Sequence, residues 1–138
     1  MVRKILMMLI CISLFSGCSS NENELTIANA FGQHQFKELY YVGLWNKSMP
    51  DTIEAEMIAN PDITIEQDQF IFQNRNINNV EYVEDEFNKE EEQLYFNKKY
   101  KVLENGFDSY FRIYLTYKNV YLGVYYNTVS MRYIVKIA

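Results

Sequence analysis

Residues 110–137 hold three runs, Tyr110–Tyr117, Val120–Tyr126 and Val129–Ile137, joined only by Lys118-Asn119 and Asn127-Thr128. The runs are rich in aromatic and β-branched residues, which suit a pleated, half-buried surface. A two-residue connection cannot carry a crossover, so neighbouring runs must lie antiparallel. This meander is the strongest constraint in the chain, because a sheet built this way must dispose of its apolar face.

The preceding residues extend the pattern. Ile63 and Ile65, then Phe70 and Phe72, alternate with polar neighbours at the period of a strand. Val80, Tyr82 and Val83 open another strand, and Leu94-Tyr95-Phe96 and Tyr100–Leu103 follow as short ones. Asn105-Gly106 is a hairpin signal, since both central residues of such turns need positive φ. Tyr41–Lys47 reads as the first strand, ended by Ser48-Met49-Pro50-Asp51. Before it, Phe36, Leu39 and Tyr40 fall at helical spacing and predict a short helical turn. Thr52–Ala59 reads as helix or loop, stopped by Asn60-Pro61-Asp62. About eight short strands in meander order either close into a barrel or fold into a sandwich. Closure is the expectation, because only a curled sheet brings Val129–Ile137 beside Tyr41–Lys47. The predicted fold is therefore all-β, a single antiparallel up-and-down barrel of about eight strands.

The N-terminus has a different character. Arg3 and Lys4 precede an apolar run from Ile5 to Phe15, and the small residues Ser16 and Gly17 follow. Basic, apolar, small is the order of a secretory signal. The run is too short to cross a bilayer, which takes about 20 residues. Residues 1–17 are thus expected to be a signal peptide, 18–30 a tether that includes the polar run Ser19–Glu24, and 31–138 the barrel domain.

Phe15-Ser16-Gly17-Cys18 resembles the lipobox of bacterial lipoproteins, with Phe15 where leucine is usual. The resemblance implies that Cys18 takes a diacylglyceryl thioether, becomes the new N-terminus and is acylated there, palmitate being the usual kind of chain. Two or three such chains hold a protein on a membrane where one does not. The implied location is the cell membrane through a lipid anchor. In a Gram-negative cell, Ser19 after the cysteine resembles the signal for the outer membrane, facing the periplasm.

Loss of Arg3 and Lys4 with the signal leaves 11 basic against 18 acidic residues, a net charge of −7. That balance argues against nucleic acid and against broad adhesion to anionic lipid. Cys18 is then the only cysteine left, so no internal disulfide can stabilise the domain. It must fold on its core, and some 110 residues suffice for one domain.

Gly43-Leu44-Trp45, on the predicted first strand, resembles the Gly-x-Trp of lipocalins and related calycin barrels. Ile63-Thr64-Ile65 followed by Asp68-Gln69-Phe70 looks like the second hairpin of small bacterial lipocalin-like lipoproteins. The likeness implies a barrel open at one end around a small apolar ligand. It also implies that Trp45 packs across the closed end, with Arg132 lying over its ring. A plain core aromatic is the other reading of Trp45.

Little else carries chemistry. His34 is the only histidine, which rules out a histidine triad or a multi-histidine metal site, and it reads as a solvated loop residue. Glu84-Asp85-Glu86 and Glu90-Glu91-Glu92 lack the alternation and glycine of a calcium loop and read as solvated faces. From Lys98 onward there are seven basic and two acidic residues, a lopsidedness that could steer a protein partner. No catalytic residue, metal or cofactor is expected, and the chain reads as a binding module rather than an enzyme. Two partners fit it: an envelope protein, as for an immunity protein or inhibitor, or a small apolar ligand in a lipocalin-like carrier.

Overall fold

The structure is a computed structural model and describes residues 24–43, 49–87, 96–127 and 130–138. The anchor residue Cys18 and the motif residue Trp45 lie outside these, as do Leu94-Tyr95 and the acidic triplet 90–92.

A 3-10 turn at Ile27–Ala30 precedes nine strands and one helix. The strands are β1 (Gly32–Val42), β2 (Asp62–Ile65), β3 (Gln69–Phe72), β4 (Arg75–Asn78), β5 (Val80–Glu84), β6 (Lys98–Glu104), β7 (Phe107–Leu115), β8 (Val120–Tyr125) and β9 (Met131–Ile137). The helix, α1, spans Met49–Ala59. Every pairing is antiparallel, in the order β4-β3-β2-β1-β9-β8-β7-β6-β5.

This order is a barrel of eight staves. β4 and β5 are separated by Asn79 alone, and their antiparallel partners make them run the same way. They form one bent stave that pairs with β3 through its first half and with β6 through its second. Asn79, at φ 53°, makes the bend. β1 is shared in the same manner, pairing β2 through Gly32–Gln35 and β9 through Phe36–Val42. Two strands that change partner thus turn a four-stranded and a six-stranded sheet into one nearly closed wall.

The seam beside β5 is closed by single bonds. The Val80 amide donates to the Asp68 carbonyl at 3.2 Å, and the Tyr82 hydroxyl donates to the Glu66 carbonyl at 2.8 Å. Arg75 on β4 reaches Glu104 on β6 at 2.7 Å.

Expected and observed elements differ at several points, among them Arg75–Asn78, which forms strand β4 although Asn74-Arg75-Asn76 and Asn78-Asn79 carry turn chemistry. Phe36–Tyr40 is strand, not a helical turn: β1 begins at Gly32 and carries register shifts between Phe36 and Glu38 and between Leu39 and Tyr41. The 3-10 turn buries Ala30 and brings Leu25 and Ile27 against the core, so the expected tether already belongs partly to the domain. The last strand pairs with the first as expected, Tyr41 facing Ile134 and Val42 facing Tyr133, but β1 overlaps the expected Tyr41–Lys47 only at those two residues, and residues 44–47 lie outside the described ones. Asn105 and Gly106 take φ 50° and 81° between β6 and β7, as a two-residue hairpin turn requires.

Helix α1 settles the ambiguity at Thr52–Ala59. Pro50 and Asp51 sit in its first turn, where a missing N–H costs nothing and a carboxylate complements the dipole. Ile53 and Met57, four residues apart, are its buried face, and Asn60-Pro61 ends it.

Among the described residues, the barrel interior is packed with side chains. Ile63, Ile65, Phe70, Phe72, Ile77, Val102, Phe111, Ile113, Leu115, Leu122, Tyr133 and Val135 form one buried cluster with Ile53, Met57 and Ala30. Helix and 3-10 turn therefore contribute to the same core as the wall.

Two tyrosines of this interior give the domain an alkaline limit. Burial pushes the Tyr133 hydroxyl from 10.0 up to about 12, with Glu56 adding to the shift and Arg132 opposing it. Burial also raises Tyr82 well above the ordinary tyrosine range, helped by Glu66 and Asp68. The folded chain holds these protons longer than the unfolded chain does. Stability is therefore full below pH 10 and falls as pH rises toward 12, by about 2–3 kcal/mol for Tyr133 alone. Urea midpoints taken between neutral pH and pH 12 should fall only over the last two units, and Tyr133→Phe should lessen the fall.

Candidate functional site

An up-and-down barrel normally alternates apolar inside with polar outside. β7 departs from this: Phe111, Arg112, Ile113, Tyr114 and Leu115 are all buried. The inward set is Phe111, Ile113 and Leu115, so Arg112 and Tyr114 are buried on the outer face. There a second cluster forms from Phe96, Tyr114, Tyr121, Tyr125, Met131 and Ile134, with Phe87 against it. Phe87 and Phe96 flank the long connection from β5 to β6, which brings both rings onto the wall.

Ring contacts tie the cluster together. Phe96 lies 4.5 Å from Tyr114 and 5.1 Å from Tyr121, and Tyr40 of β1 lies 5.0 Å from Tyr121. The Tyr114 and Tyr125 hydroxyls share a hydrogen bond at 2.6 Å. Gly123, between these tyrosines, is where the fully buried Tyr114 ring crosses β8: a Cβ there would sit 2.5 Å from its Cε2. Gly123→Ala should displace that ring and cost about 1–3 kcal/mol, as overpacking does. The same change in a Tyr114→Leu background should cost clearly less in urea titrations.

Beside the rings lies a charged network. Arg112, only 2% exposed, points its guanidinium at Asp108, with Nη2–Oδ2 and Nη1–Oδ1 both at 2.9 Å. Nη1 donates to the carbonyls of Ser109 and Phe111 at 3.0 Å. Its Oδ1 contact with Asp108 is therefore Coulombic rather than an aligned hydrogen bond. Nε lies 3.7 Å from Asp85 Oδ2, and the guanidinium lies 4.9 Å from the Tyr125 ring centroid. Lys99, 6% exposed, lies 3.5 Å from Asp85 and 5.9 Å from the rings of Tyr114 and Tyr125. Lys101 reaches Asp85 at 3.9 Å and Asp108 at 3.8 Å.

This network binds strands β6 and β7 to the residues that follow β5. Three cations meet two carboxylates, each fixed by ion pairs. His34, expected as a solvated loop residue, is half-buried on β1 with its Nε2 2.6 Å from the Ala30 carbonyl, so it secures the 3-10 turn. In the first acidic triplet Glu84 and Glu86 are exposed, as a solvated face requires, and only Asp85 is drawn inward. Glu84 pairs with Lys98 at 2.7 Å, Asp85 enters the network, and the Glu86 carbonyl accepts from Lys99 at 3.3 Å. Among the described residues, no group of three or more His, Cys, Asp and Glu could hold a metal ion.

Of the motif residues, Gly43 and Arg132 meet through their backbones: the Gly43 amide donates to the Arg132 carbonyl at 2.9 Å. A Cβ on Gly43 would lie 2.5 Å from the Met131 carbonyl oxygen, so only glycine fits there. The Arg132 side chain is exposed, at the edge of an apolar cleft of about 270 Å³ lined by Met49, Tyr126, Ser130 and Met131. Sequence reading missed Lys99, Asp85, Asp108 and Arg112. The available signal was Arg112 itself, a cation in the middle of an otherwise apolar strand.

Comparison with protein-family models, curated proteins and solved structures finds no match to this chain.

Proposed function

We propose that this chain is a lipid-anchored envelope lipoprotein with a lipocalin-like barrel, acting as a binding module for a protein partner, in the manner of an immunity protein or inhibitor. The observation that carries this reading is the interior packed with side chains. An eight-stranded barrel is just wide enough to be filled by side chains or to hold one small ligand. Here Phe70, Phe72, Phe111, Tyr133 and the helix residues Ile53 and Met57 occupy that space. Binding then falls to the outside. Phe107, Tyr110 and Tyr126 are exposed at the end bearing the β6–β7 and β8–β9 connections. Aromatic side chains of this kind anchor protein interfaces.

The carrier reading has one observation in its favour, the apolar cleft between α1 and β9. Its volume of about 270 Å³ falls below the 300–1,000 Å³ common for small-molecule sites. The anchor rests on Phe15-Ser16-Gly17-Cys18. Cys18→Ser should release the chain into the soluble fraction and remove any acyl mass from its N-terminal peptide. For the binding role, cross-linking in intact envelopes should yield one stoichiometric protein partner, and native mass spectrometry should find no bound small molecule. A stoichiometric small molecule without a protein partner would reverse the two readings.

A further inference from the structure

Resting on the lipid-anchor reading, the short span from Cys18 to Glu24 limits how the barrel can stand on a membrane. Six backbone steps, fully extended, cover about 20 Å. Glu24 lies within electrostatic reach of Lys98 and Tyr100, and the Ile27 backbone hydrogen-bonds Tyr100. Lys98 faces Leu115 across β6 and β7, and the Asn97 amide donates to the Leu115 carbonyl at 2.8 Å. The chain therefore enters the domain at the end where β7 turns into β8.

That turn has the chemistry of a membrane interface. Tyr117 is 71% exposed and Lys118 is exposed beside it. Both are held on a fixed loop: the Thr116 amide donates to the Asn119 carbonyl at 2.9 Å, and the Asn119 amide donates to Thr116 Oγ1 at 2.9 Å. Tyrosine favours the headgroup layer, where its ring is apolar and its hydroxyl wet, and lysine favours anionic lipid. On the same end, Glu84 is matched by Lys98, whereas Glu66 and Asp68 stand exposed on the β2–β3 turn. Arg132 stands exposed at the far end. There α1 begins beside Ser130 and Met131, exposes Asp51, Glu54 and Glu56, and has no basic residue.

We propose that the Tyr117–Lys118 turn rests in the headgroup layer of the anchoring membrane. The barrel then stands with α1 and the β6–β7 and β8–β9 connections pointing away from the bilayer. This orientation leaves Phe107, Tyr110 and Tyr126 free for a partner.

The test uses the lipidated chain in vesicles of phosphatidylethanolamine and phosphatidylglycerol, with a nitroxide on Tyr117→Cys or on Tyr126→Cys. The label at 117 should be shielded from a water-soluble nickel chelate and relaxed by membrane-dissolved oxygen, and the label at 126 should show the reverse. Adding Lys118→Glu should return the label at 117 toward the aqueous value. A label at 117 as open to the chelate as that at 126, on a chain carrying its acyl mass at Cys18, would overturn the orientation alone. Absence of acyl mass at Cys18 would overturn the anchor and the orientation with it.

Discussion

Arg112→Met is expected to destabilise the domain by about 3–5 kcal/mol, the range for removing one partner of a buried ion pair. The guanidinium is almost wholly buried and is the meeting point of Asp108, Asp85, two backbone carbonyls and the Tyr125 ring. Taking it away leaves the Asp108 carboxylate with only the more distant Lys101, at 3.8 Å, and the Ser109 and Phe111 carbonyls without this donor. Methionine fills a similar volume, so the loss measures charge and hydrogen bonding more than a cavity. Arg112→Lys should recover only part of the loss, because an ammonium cannot reproduce a planar fork. Asp108→Leu combined with Arg112→Met should be less destabilised than the two single changes added together, since Asp108 is then no longer left facing an absent guanidinium. Urea midpoints at constant slope provide the measurement. A loss under 1 kcal/mol for Arg112→Met would mean that water or another cation already satisfies Asp108.

The sequence pattern carries the barrel further than it carries the site, and β1 shows where the pattern stops. Strand alternation and short connections suffice for closure, because a meander of this length has few other ways to bury one face. In β1, however, the register shifts at Phe36/Glu38 and Leu39/Tyr41 reset the alternation. Leu39 then follows Phe36 by three residues while both still pack against the core, which imitates a helical face. A bulge is a property of the partner strand as much as of the sequence, and β9 lies about a hundred residues away. The bend at Asn79 is hidden for the same reason: nothing local says that one half of a stave pairs with β3 and the other with β6.

The outer cluster is illegible for a different reason. Alternation marks Arg112, Tyr114, Tyr121 and Tyr125 as the face away from the core, and that face is usually solvated. Only the β5–β6 connection, by carrying Phe87 and Phe96 onto the wall, turns it into a second interior. The Gly-x-Trp likeness pairs Arg132 with Trp45, which lies outside the described residues, and the backbone bond from Gly43 to Arg132 is what β1–β9 pairing requires at that point. The likeness concerns the arginine side chain, whereas the described contact is made by its carbonyl.

Phe111→Ala is the prediction that bears on stability and function at once. The ring lies 5.0 Å from Phe70 and 5.4 Å from Phe72, so β7 of one half of the barrel meets β3 of the other through it. Arg75 lies over the same ring at 5.7 Å while pairing with Glu104. Truncation to alanine should cost about 3–5 kcal/mol, the range for a buried phenylalanine. Phe111→Leu, which keeps most of the volume, should cost markedly less. The void should be lined by Phe70, Phe72 and their aliphatic neighbours, and an apolar void of this kind stays dry and takes up benzene or xenon. Titration of the variant with benzene should therefore raise its urea midpoint, since a ligand that binds only the folded state stabilises it. Wild-type protein should not respond, because Phe111 already occupies the space. A wild type stabilised by benzene as strongly as the variant would mean that the barrel is hollow, and the carrier reading would then stand ahead of the protein-binding one.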